Sequence, residues 1–266
     1  MNFSVLMTVY LKDSPVYFER ALTSITFDQV RKPDEIVLVC DGPLSEELNK
    51  VIGTFEKVIP YLKVCRLHKN CGQGNALNYG LKNCSFELIA RMDSDDISLP
   101  HRFKEQVDYM ERNKNTDVLS SVIEEFSSSF SNYRKLPESH SDISNLMSFR
   151  SPVNHGCCIY KKSTVIAAGG YSQLFQCQDY LLWINMLSNG AEFHNLTECH
   201  MRVRMEEGYS RKIGYSYAKE EFAIQKYLFK LGMIGCFGFA RNLFIKVGGR
   251  LLPEKIVDYV YRKYYR

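Results

Sequence analysis

The sequence lacks the features that would direct it out of the cell or into a membrane. No run approaches the roughly 18 to 20 apolar residues that a membrane-spanning helix needs. The N-terminus, MNFSVLMTVY, has neither the basic flank nor the long apolar stretch of a signal peptide. The nine cysteines include no CxxC pair, and we interpret them as reduced, mostly buried thiols. These absences predict a cytoplasmic protein.

Excess charge is also scarce, except at one end of the chain. Residues 226–266 contain nine Lys or Arg and two acidic residues, a difference of +7, whereas the whole chain has a net charge of +4 and residues 1–225 therefore about −3. Aromatic residues alternate with these cations, which suits the interface of an anionic membrane leaflet. Packing of the aromatic residues on the rest of the protein is the alternative. Because no recognised nucleic-acid module accompanies the charge, we expect no nucleic-acid partner.

Short apolar runs alternate with amphipathic segments in the first hundred residues. FSVLMTVY, DEIVLVCDG, YLKVCRLH and FELIARMD are typical of buried strands. The segments between them have helical spacing, and the first begins with Ser14 as N-cap and Pro15 in the first turn. This alternation predicts an α/β fold with an open, mostly parallel sheet flanked by helices.

The pattern is looser after LPHRFKEQVDYMERN, a predicted helix that begins near Pro100. The Ser-rich stretch SSVIEEFSSSFSNYRKLPESHSD predicts a strand with a long surface loop. NHGCCIYKKSTVIAAGGY predicts a strand and a short helix, and CQDYLLWINMLSNG predicts an amphipathic helix closed by Gly190. RVRMEEGYSRKIGYSY is typical of a basic loop. Helical pieces follow from Tyr217, and we place the only domain boundary near residue 215.

Polar residues cluster where the four predicted strands end. Thr8 and Tyr10, Asp41, residues 70–74 and residues 93–96 each follow a different strand. Ligands of open α/β sheets bind at the carboxyl ends of the strands, so these residues are expected to form one rim. The last group contains three aspartates in four positions. Such like charges are costly unless a cation or a well-solvated turn accompanies them. On its own this tetrad, residues 93–96, is more typical of a helix N-terminus than of a metal site.

An ordered set of motifs resembles the family 2 glycosyltransferases. The motifs are SVLMTVY, PDEIVLVCDG, NCGQGNALNYGL, ARMDSDD, NHGCCIYKKS and QDYLLWINML, and they extend over roughly residues 3–215. The resemblance implies a GT-A (nucleotide-diphospho-sugar transferase) fold and inversion of the anomeric centre. It also implies a catalytic domain over residues 1–215, with residues 1–100 binding the nucleotide sugar and residues 101–215 the acceptor. A basic, aromatic helical region, residues 216–266, would follow.

The resemblance implies a divalent metal at the aspartate tetrad. Asp93 and Asp95, with Ser94 between them, match the family's DxD motif. Carboxylate oxygens hold Mn²⁺ or Mg²⁺, and such a cation bridges the two phosphates of a UDP-sugar donor. For Asp96 we favour capping of the following helix.

Further residues match the family's nucleotide side. Asp41 would accept a hydrogen bond from uracil, and Thr8 and Tyr10 would flank the base, although Asp41-Gly42 is also an ordinary turn dipeptide. Asn70, Gly74 and Arg91 are additional nucleotide-side candidates. The glycine-rich stretch is not a phosphate loop, because the Lys-Ser/Thr of such a loop is missing.

An inverting transfer needs a base for the acceptor hydroxyl. Asp179 matches the family's base, although a helix N-terminal Asp favoured by the macrodipole is the alternative. Gln178 replaces the Glu that usually precedes the base, and we place Gln178 and His155 on the acceptor side. A single histidine such as His155, however, more often has a structural role than a role in binding a ligand.

Three arginines follow the predicted acceptor helix. Arg202, Arg204, which replaces a His of the family pattern, and Arg211 match a basic segment that contacts the diphosphate in relatives. A solvated basic loop is the alternative for each of them.

The overall expectation is transfer of a hexose from UDP-Gal, UDP-Glc or a UDP-N-acetylhexosamine to a polyprenyl-diphosphate-linked saccharide. The most similar enzymes build bacterial O-antigen, capsule or exopolysaccharide at the inner face of the cytoplasmic membrane, where the basic tail would bind peripherally. A haloacid-dehalogenase-type phosphohydrolase is a rival, but it expects its DxD on the first strand and a later GDxxxD. A catalytically silent nucleotide-binding module is a second rival. The sugar and the oligomeric state stay open.

Overall fold

The nine strands and nine principal helices of the described chain form one α/β body. A computed structural model describes residues 1–172, 177–205 and 214–253. The strands are β1 (Phe3–Val9), β2 (Glu35–Cys40), β3 (Leu62–Arg66), β4 (Leu88–Met92), β5 (Ile97–Ser98), β6 (Val118–Phe126), β7 (Ser131–Arg134), β8 (Ile159–Lys161) and β9 (Phe193–Arg204). The helices are α1 (Pro15–Thr26), α2 (Glu46–Val58), α3 (Gln73–Asn83), α4 (Arg102–Arg112), α5 (His140–Met147), α6 (Lys162–Ala167), α7 (Gln178–Ser188), α8 (Tyr215–Lys230) and α9 (Cys236–Asn242). A π-helical turn (Leu243–Val247) and a short helical turn (Gly248–Arg250) follow α9.

The first hundred residues fold as the apolar pattern predicts. Every residue of β1 is buried, as expected for a strand covered on both faces. The Ser14 hydroxyl accepts a hydrogen bond from the Tyr17 amide at the start of α1, and Ser45 accepts one from Leu48 at the start of α2. The predicted strands and helices of this half are therefore confirmed.

The sheet has the order β3-β2-β1-β4-β8-β6-β9-β5, with β7 paired to β6. Strands β3, β2, β1 and β4 run parallel, and β8 joins β4 in the antiparallel direction. The chain moves outward from β1 to β3 on one side and returns to β4 on the other. A crevice forms at such a reversal, outside the carboxyl ends of the strands, and ligands bind there in open α/β sheets.

The second half differs from the prediction in two places. The Ser-rich stretch is not a strand with a long loop, because β6 and β7 form a hairpin whose turn is closed by the Ser127 amide and the Phe130 carbonyl, and α5 follows with Ser139 as its cap. The predicted basic loop begins as the end of β9, which pairs with β6 up to Arg204. Residues 206–213 lie outside the described residues.

The C-terminal helices pack on the rest of the body. Ile224 and Leu228 of α8 belong to the same buried cluster as Trp183 of α7. The buried Asn242 side chain donates to the Ser148 carbonyl and to Gln225 Oε1. For residues 214–253 the packing alternative is thus observed, whereas residues 254–266 lie outside the described part. Helix α8 begins at the predicted boundary but shares a core with the preceding chain. No helix among the described residues is both long and apolar enough to cross a bilayer.

We expect Leu228→Ala to lower the free energy of unfolding of the whole chain by about 2–5 kcal/mol, because it removes a fully buried side chain from a shared core. Leu231→Ala is the matched control, since Leu231 is 38% exposed. Urea denaturation is followed by tryptophan fluorescence, which reports on Trp183, the single Trp in the chain, and by far-ultraviolet circular dichroism, which reports on the helices. A separate early transition of the C-terminal helices, with Trp183 undisturbed, would contradict the shared core.

Candidate active site

The polar strand ends predicted to converge do form one cleft. This first cleft has a volume of about 400 Å³ and lies at the carboxyl ends of β1, β2 and β4. Its lining includes seven of the predicted site residues, Thr8, Tyr10, Asp41, Asn70, Asp93, Ser94 and Asp95. Asp13, Gly72 and Gln73 complete its polar lining. Residues distant in the sequence therefore meet at the topological reversal of the sheet.

Asp41 fixes the loop between β3 and α3. Its two carboxylate oxygens accept hydrogen bonds from the backbone amides of Cys71 (2.7 Å) and Gly72 (3.0 Å). Gly42 has a φ of +90°, and a Cβ there would lie 2.5 Å from the Asn70 backbone nitrogen, so only glycine suits this approach. Asp41 thus shapes the floor of the cleft, and each of its carboxylate oxygens keeps a further lone pair for a ligand donor.

Asp93 is positioned by a fully buried arginine. Arg91 Nη2 donates to Asp93 Oδ1 at 2.7 Å, and Gln73 Nε2 lies 3.4 Å from the same oxygen. The other oxygen, Oδ2, faces Gly156, where a Cβ would come within 2.5 Å of it. Arg91 therefore acts on the cleft through Asp93, and it lies beneath the first cleft rather than in its lining.

Burial, together with neighbouring like charges, raises the pKa of several carboxyls around the tetrad. Asp95 opens to solvent, but the surrounding protein removes part of its water, and this desolvation together with the charges of Asp93 and Asp13 raises its pKa from 3.8 to about 6. Burial raises the pKa of Asp13 as well, against the hydrogen bonds that it accepts from the Tyr10 amide and the Ser94 hydroxyl. The cleft therefore contains negative charge that the described side chains do not fully compensate.

The expected helix-capping role of Asp96 is wrong. Helix α4 has His101 at its N-cap position and no side-chain cap. Asp96 is instead buried, and its Oδ1 accepts a hydrogen bond from the Arg204 amide at 2.9 Å. Burial and the neighbouring Asp93 and Asp95 raise its pKa well above the ordinary value. Asp96 thus ties the tetrad to the end of β9.

The donor set at the tetrad fits a cation shared with a ligand. No group of three or more His, Cys, Asp or Glu among the described residues is arranged to hold a metal ion by itself. Divalent cations such as Mg²⁺ are, however, commonly bound through one or two carboxylates plus the phosphates of a substrate. Asp93 and Asp95 supply two carboxylates next to an open cleft, and the raised pKa of Asp95 marks a position where added positive charge is favourable.

A second cleft, of about 330 Å³, shares Asp93 with the first. Asp179 lies at the start of α7 and lines this second cleft with His155 and Asp96. The lining also includes Arg134, Arg150, Tyr217, Glu221, Lys246 and Arg250. The structure therefore brings the predicted base and the DxD motif to adjoining spaces, and part of the lining comes from the C-terminal helices.

His155 is held neutral in the second cleft. Its Nε2 lies 3.0 Å from the Tyr171 hydroxyl, which in turn lies 3.1 Å from the Tyr160 hydroxyl. Burial and the positive charge of Arg91 lower the pKa of His155 to about 4. At neutral pH the imidazole therefore presents a polar, uncharged surface beside Asp179.

Gln178 and Gly74 connect the two halves of the site. Gln178 Nε2 donates to Gln73 Oε1 at 2.7 Å, and Gln73 in turn approaches Asp93. A Cβ at Gly74 would lie 2.6 Å from Gln178 Oε1, so glycine allows α3 and α7 to approach closely. Neither residue is among those that line the two clefts, and for both a direct ligand contact stays a prediction.

The predicted arginines have different surroundings. Arg202 pairs with Glu124 through Nε (2.9 Å) and Nη2 (3.2 Å) and lies outside the lining of both clefts. Arg204 stacks on the Tyr17 ring at 3.7 Å, and its Nε donates to the Asp95 carbonyl. Arg211 lies outside the described residues. Arg204 is thus the one of the two described arginines that contacts the tetrad.

Comparison with known proteins assigns the family. The model for "Glycosyl transferase family 2" matches residues 4–166, more than half of the chain. The chain belongs to glycosyltransferase family 2.

Curated relatives of this glycosyltransferase act in bacterial polysaccharide synthesis. It is 37% identical over 266 residues to the amylovoran biosynthesis glycosyltransferase AmsE of Erwinia amylovora, with 98% of each chain covered. It is 36% identical over 269 residues to an Escherichia coli UDP-Gal:alpha-D-GlcNAc-diphosphoundecaprenol beta-1,3-galactosyltransferase, covering 100% of this chain and 97% of the relative. S. aureus TarS 1-349, solved in complex with UDP-GlcNAc, superposes with a TM-score of 0.69 at 19% identity, covering 94% of this chain and 72% of TarS. The predicted GT-A fold is confirmed.

Sequence reasoning missed three groups of residues in this glycosyltransferase. Asp13 follows the first strand and could have been found by the strand-end rule applied to the others. Gly156 adjoins Asp93 from a distant element, and no local pattern marks it, whereas Gln73 lies within residues 70–74, which the strand-end rule does place on the rim. The cations of the second cleft come from β7, the segment after α5 and the C-terminal turns. A count of charges along the sequence does not predict that they line the same cleft.

We expect Asp95→Asn to stabilise the metal-free glycosyltransferase at neutral pH. A carboxyl whose folded pKa is raised lowers stability as pH rises from its unfolded value, near 3.8, through about 6. The variant and the parent should therefore have similar melting temperatures below about pH 4 and diverge upward to pH 7, with the variant more stable. Thermal unfolding in chelator across this range is the measurement. An unchanged difference at all pH values would contradict the raised pKa. Glu56→Gln, on an exposed carboxyl of α2 outside both clefts, is the control.

Proposed function

We propose that this enzyme transfers a hexose from a UDP-sugar to a saccharide carried on a lipid diphosphate, with inversion at the anomeric carbon. One observation carries the proposal: Asp93 lines both clefts, and Asp179 lies in the second of them. A donor in the first cleft would thus have its diphosphate at the tetrad, with its sugar directed to where the second cleft begins. An acceptor in the second cleft would approach that sugar from the side of Asp179.

The first cleft would bind the nucleotide. Thr8 and Tyr10 lie at its β1 end and Asp41 at its β2 end, so the base would lie between them. Asp93 and Asp95 would hold Mn²⁺ or Mg²⁺ together with the phosphates. When bound, such a cation neutralises negative charge on the departing diphosphate. Arg91 would keep Asp93 in place for that task, since its ion pair with Asp93 is made from a fully buried side chain.

Asp179 would act as the general base. The acceptor hydroxyl would give its proton to the Asp179 carboxylate while its oxygen attacks the anomeric carbon, and the bond between that carbon and the diphosphate oxygen would break. The electron pair of the broken bond leaves with UDP. The neutral His155 beside Asp179 is suited to hydrogen-bond the acceptor sugar.

The relatives favour a lipid-linked acceptor and a location at the inner face of the cytoplasmic membrane. The name of the E. coli relative specifies a GlcNAc-diphosphoundecaprenol acceptor and UDP-Gal, so UDP-Gal is the first donor to test. The outward side of the C-terminal helices suits peripheral membrane contact. Phe237 and Phe244 are 84% and 85% exposed, and Arg241 lies between them in the sequence.

The rival functions rank below this proposal. Membership of glycosyltransferase family 2 displaces the phosphohydrolase, and the DxD motif follows the fourth strand instead of the first. If the protein were a catalytically silent nucleotide-binding module, the position of Asp179 in a cleft next to the tetrad would have no functional explanation.

We expect Asp179→Asn to lower the turnover number by about 10²–10⁴-fold, the range in which a general base contributes, while UDP binding is retained. The amide keeps the size of the side chain but cannot take the proton. Transfer from radiolabelled UDP-sugars to a synthetic GlcNAc-diphosphate-lipid, and calorimetric titration with UDP and Mn²⁺, provide the two readouts. Asp95→Ala, in contrast, should weaken both.

The control for this experiment is Asp28→Asn, which removes an exposed carboxylate two residues after α1 and should leave both readouts unchanged. A fully active Asp179→Asn enzyme would refute the assignment of the base. Absence of transfer with every donor, despite tight UDP binding, would favour the silent module.

We expect the double variant Phe237→Ser/Phe244→Ser to bind phosphatidylglycerol vesicles about tenfold more weakly, or more weakly still. This is the loss of affinity expected when about one aromatic side chain is no longer buried in the membrane. Co-sedimentation measures the partition, and neutral phosphatidylcholine vesicles test the contribution of charge. Tyr79→Ser removes an exposed aromatic ring of α3 and serves as the control. Equal binding by all the variants would contradict this membrane contact.

A further inference from the structure

One side of the second cleft is strongly basic. Arg134 of β7, Arg150 after α5, and Lys246 and Arg250 of the C-terminal turns line it, and we call these four residues the basic wall. Some of the described lining residues come from β7, the segment after α5, α8 and the C-terminal turns. Among these, Glu221 is the one acidic residue. The remaining acidic lining residues, Asp93, Asp96 and Asp179, belong to the tetrad and to α7. Arg134 also pairs with Glu125 of β6 at 3.8 Å, so two carboxylates, Glu125 and Glu221, stand against the four positive charges of the basic wall.

The basic wall is a built part of the fold and not a set of unsupported surface side chains. Glu221 is buried, and it pairs with Lys246 at 2.9 Å and Arg250 at 3.6 Å. Although burial opposes ionisation, these cations and the Gln225 amide hold the pKa of Glu221 below its ordinary value. Lys246 Nζ also lies 5.5 Å from the ring centroids of Phe149 and Tyr180. Two of the four cations are thus held in position before any ligand arrives.

The positive charge of Arg150 is not paired with an acidic side chain of the described chain. Its side chain is exposed, and no hydrogen bond or ion pair joins its guanidinium to another residue of the described chain. The nearby α5 segment is fixed to the C-terminal helices through the bond from Asn242 to the Ser148 carbonyl. An arginine carried on such a fixed segment is suited to bidentate contact with phosphate oxygens.

We propose that the basic wall binds the diphosphate of the acceptor, so that the C-terminal helices complete the acceptor site. This proposal rests on the proposed function. In a sugar joined to a lipid through a diphosphate, the attacking hydroxyl and the diphosphate are attached to different carbons of the sugar ring. With the hydroxyl at Asp179, the diphosphate would meet the basic wall across the same cleft. Phe244 and Ile245, exposed and adjacent to Lys246 in the chain, would provide apolar surface for the start of the lipid.

The donor's diphosphate does not account for these cations. Its expected position is the tetrad of the first cleft, and no member of the basic wall lines that cleft. Recognition of a diphosphate here would also distinguish the lipid-linked acceptor from free sugars. The charged group contributes binding energy away from the reacting hydroxyl, which positions that hydroxyl for attack.

The test uses two acceptor probes and the full-length chain. One probe is GlcNAc joined through an α-diphosphate to a short phenylalkyl group, and the other carries the same group through a neutral ether. We expect Arg150→Ala to weaken calorimetric binding of the diphosphate probe about tenfold or more, the effect of losing a charge-assisted contact. Binding of the neutral probe and of UDP should not change. Arg112→Ala, which removes an exposed arginine of α4, is the matched control.

A second variant addresses the partly buried cations. Lys246→Met combined with Glu221→Gln removes both members of the buried pair, because removing Lys246 alone would leave the Glu221 charge with less compensation. Relative to Glu221→Gln alone, this double variant lacks one positive charge and should bind the diphosphate probe more weakly, with binding of the neutral probe unchanged and the melting temperature confirming that it is folded.

The outcomes separate this proposal from the proposed function. If the parent protein binds the diphosphate probe no more tightly than the neutral probe, or if Arg150→Ala weakens both equally, the basic wall does not recognise a diphosphate, whether or not transfer occurs. Arg150-dependent binding of the diphosphate probe without transfer from any UDP-sugar would retain the anion site and overturn the proposed function.

Discussion

Both clefts depend on the ion pair between Arg91 and Asp93. Arg91 is fully buried, and its Nε and Nη1 have no hydrogen-bond partner among the described residues, so Asp93 is the neighbour that compensates its charge most directly. A guanidinium in such surroundings is stable only beside an anion. Asp93 is therefore held where both clefts meet, and Gly156 leaves room for its second oxygen. The position of the DxD motif is thus fixed from beneath by β4 itself.

The same arrangement explains why the tetrad remains electrostatically unfavourable without a ligand. Arg91 compensates one carboxylate, whereas Asp13, Asp95 and Asp96 all have raised pKa values through burial and mutual repulsion. Such uncompensated charge lowers the stability of the empty protein and raises its affinity for a cation or a proton. Shifted carboxyl groups cluster at functional sites for this reason, and here they cluster at the reversal of the sheet.

The strands that carry the first cleft could be predicted because their apolar, β-branched runs are covered on both faces and end at polar residues. The polar strand β9 and the β6–β7 hairpin could not, since their residues alternate weakly and their pairing is set by distant chain. Asp96 was misassigned for a related reason: a local pattern suggests a helix cap, but its partner is the Arg204 amide, 108 positions away. The motif predicts a base at Asp179, and that role stays a prediction, whereas the position of Gly156 next to Asp93 required the assembled fold.

The basicity of the C-terminal region has two physical explanations, and the structure divides the residues between them. Lys246 and Arg250 face the second cleft and are paired with a buried Glu221, which fixes them toward the interior. Phe237 and Phe244 are almost fully exposed, so they remain available to another surface. A lipid-linked acceptor presents a diphosphate and an apolar chain in immediate succession. Under the proposed function, one set of helices with cations turned inward and aromatic rings turned outward would match both parts of such a molecule.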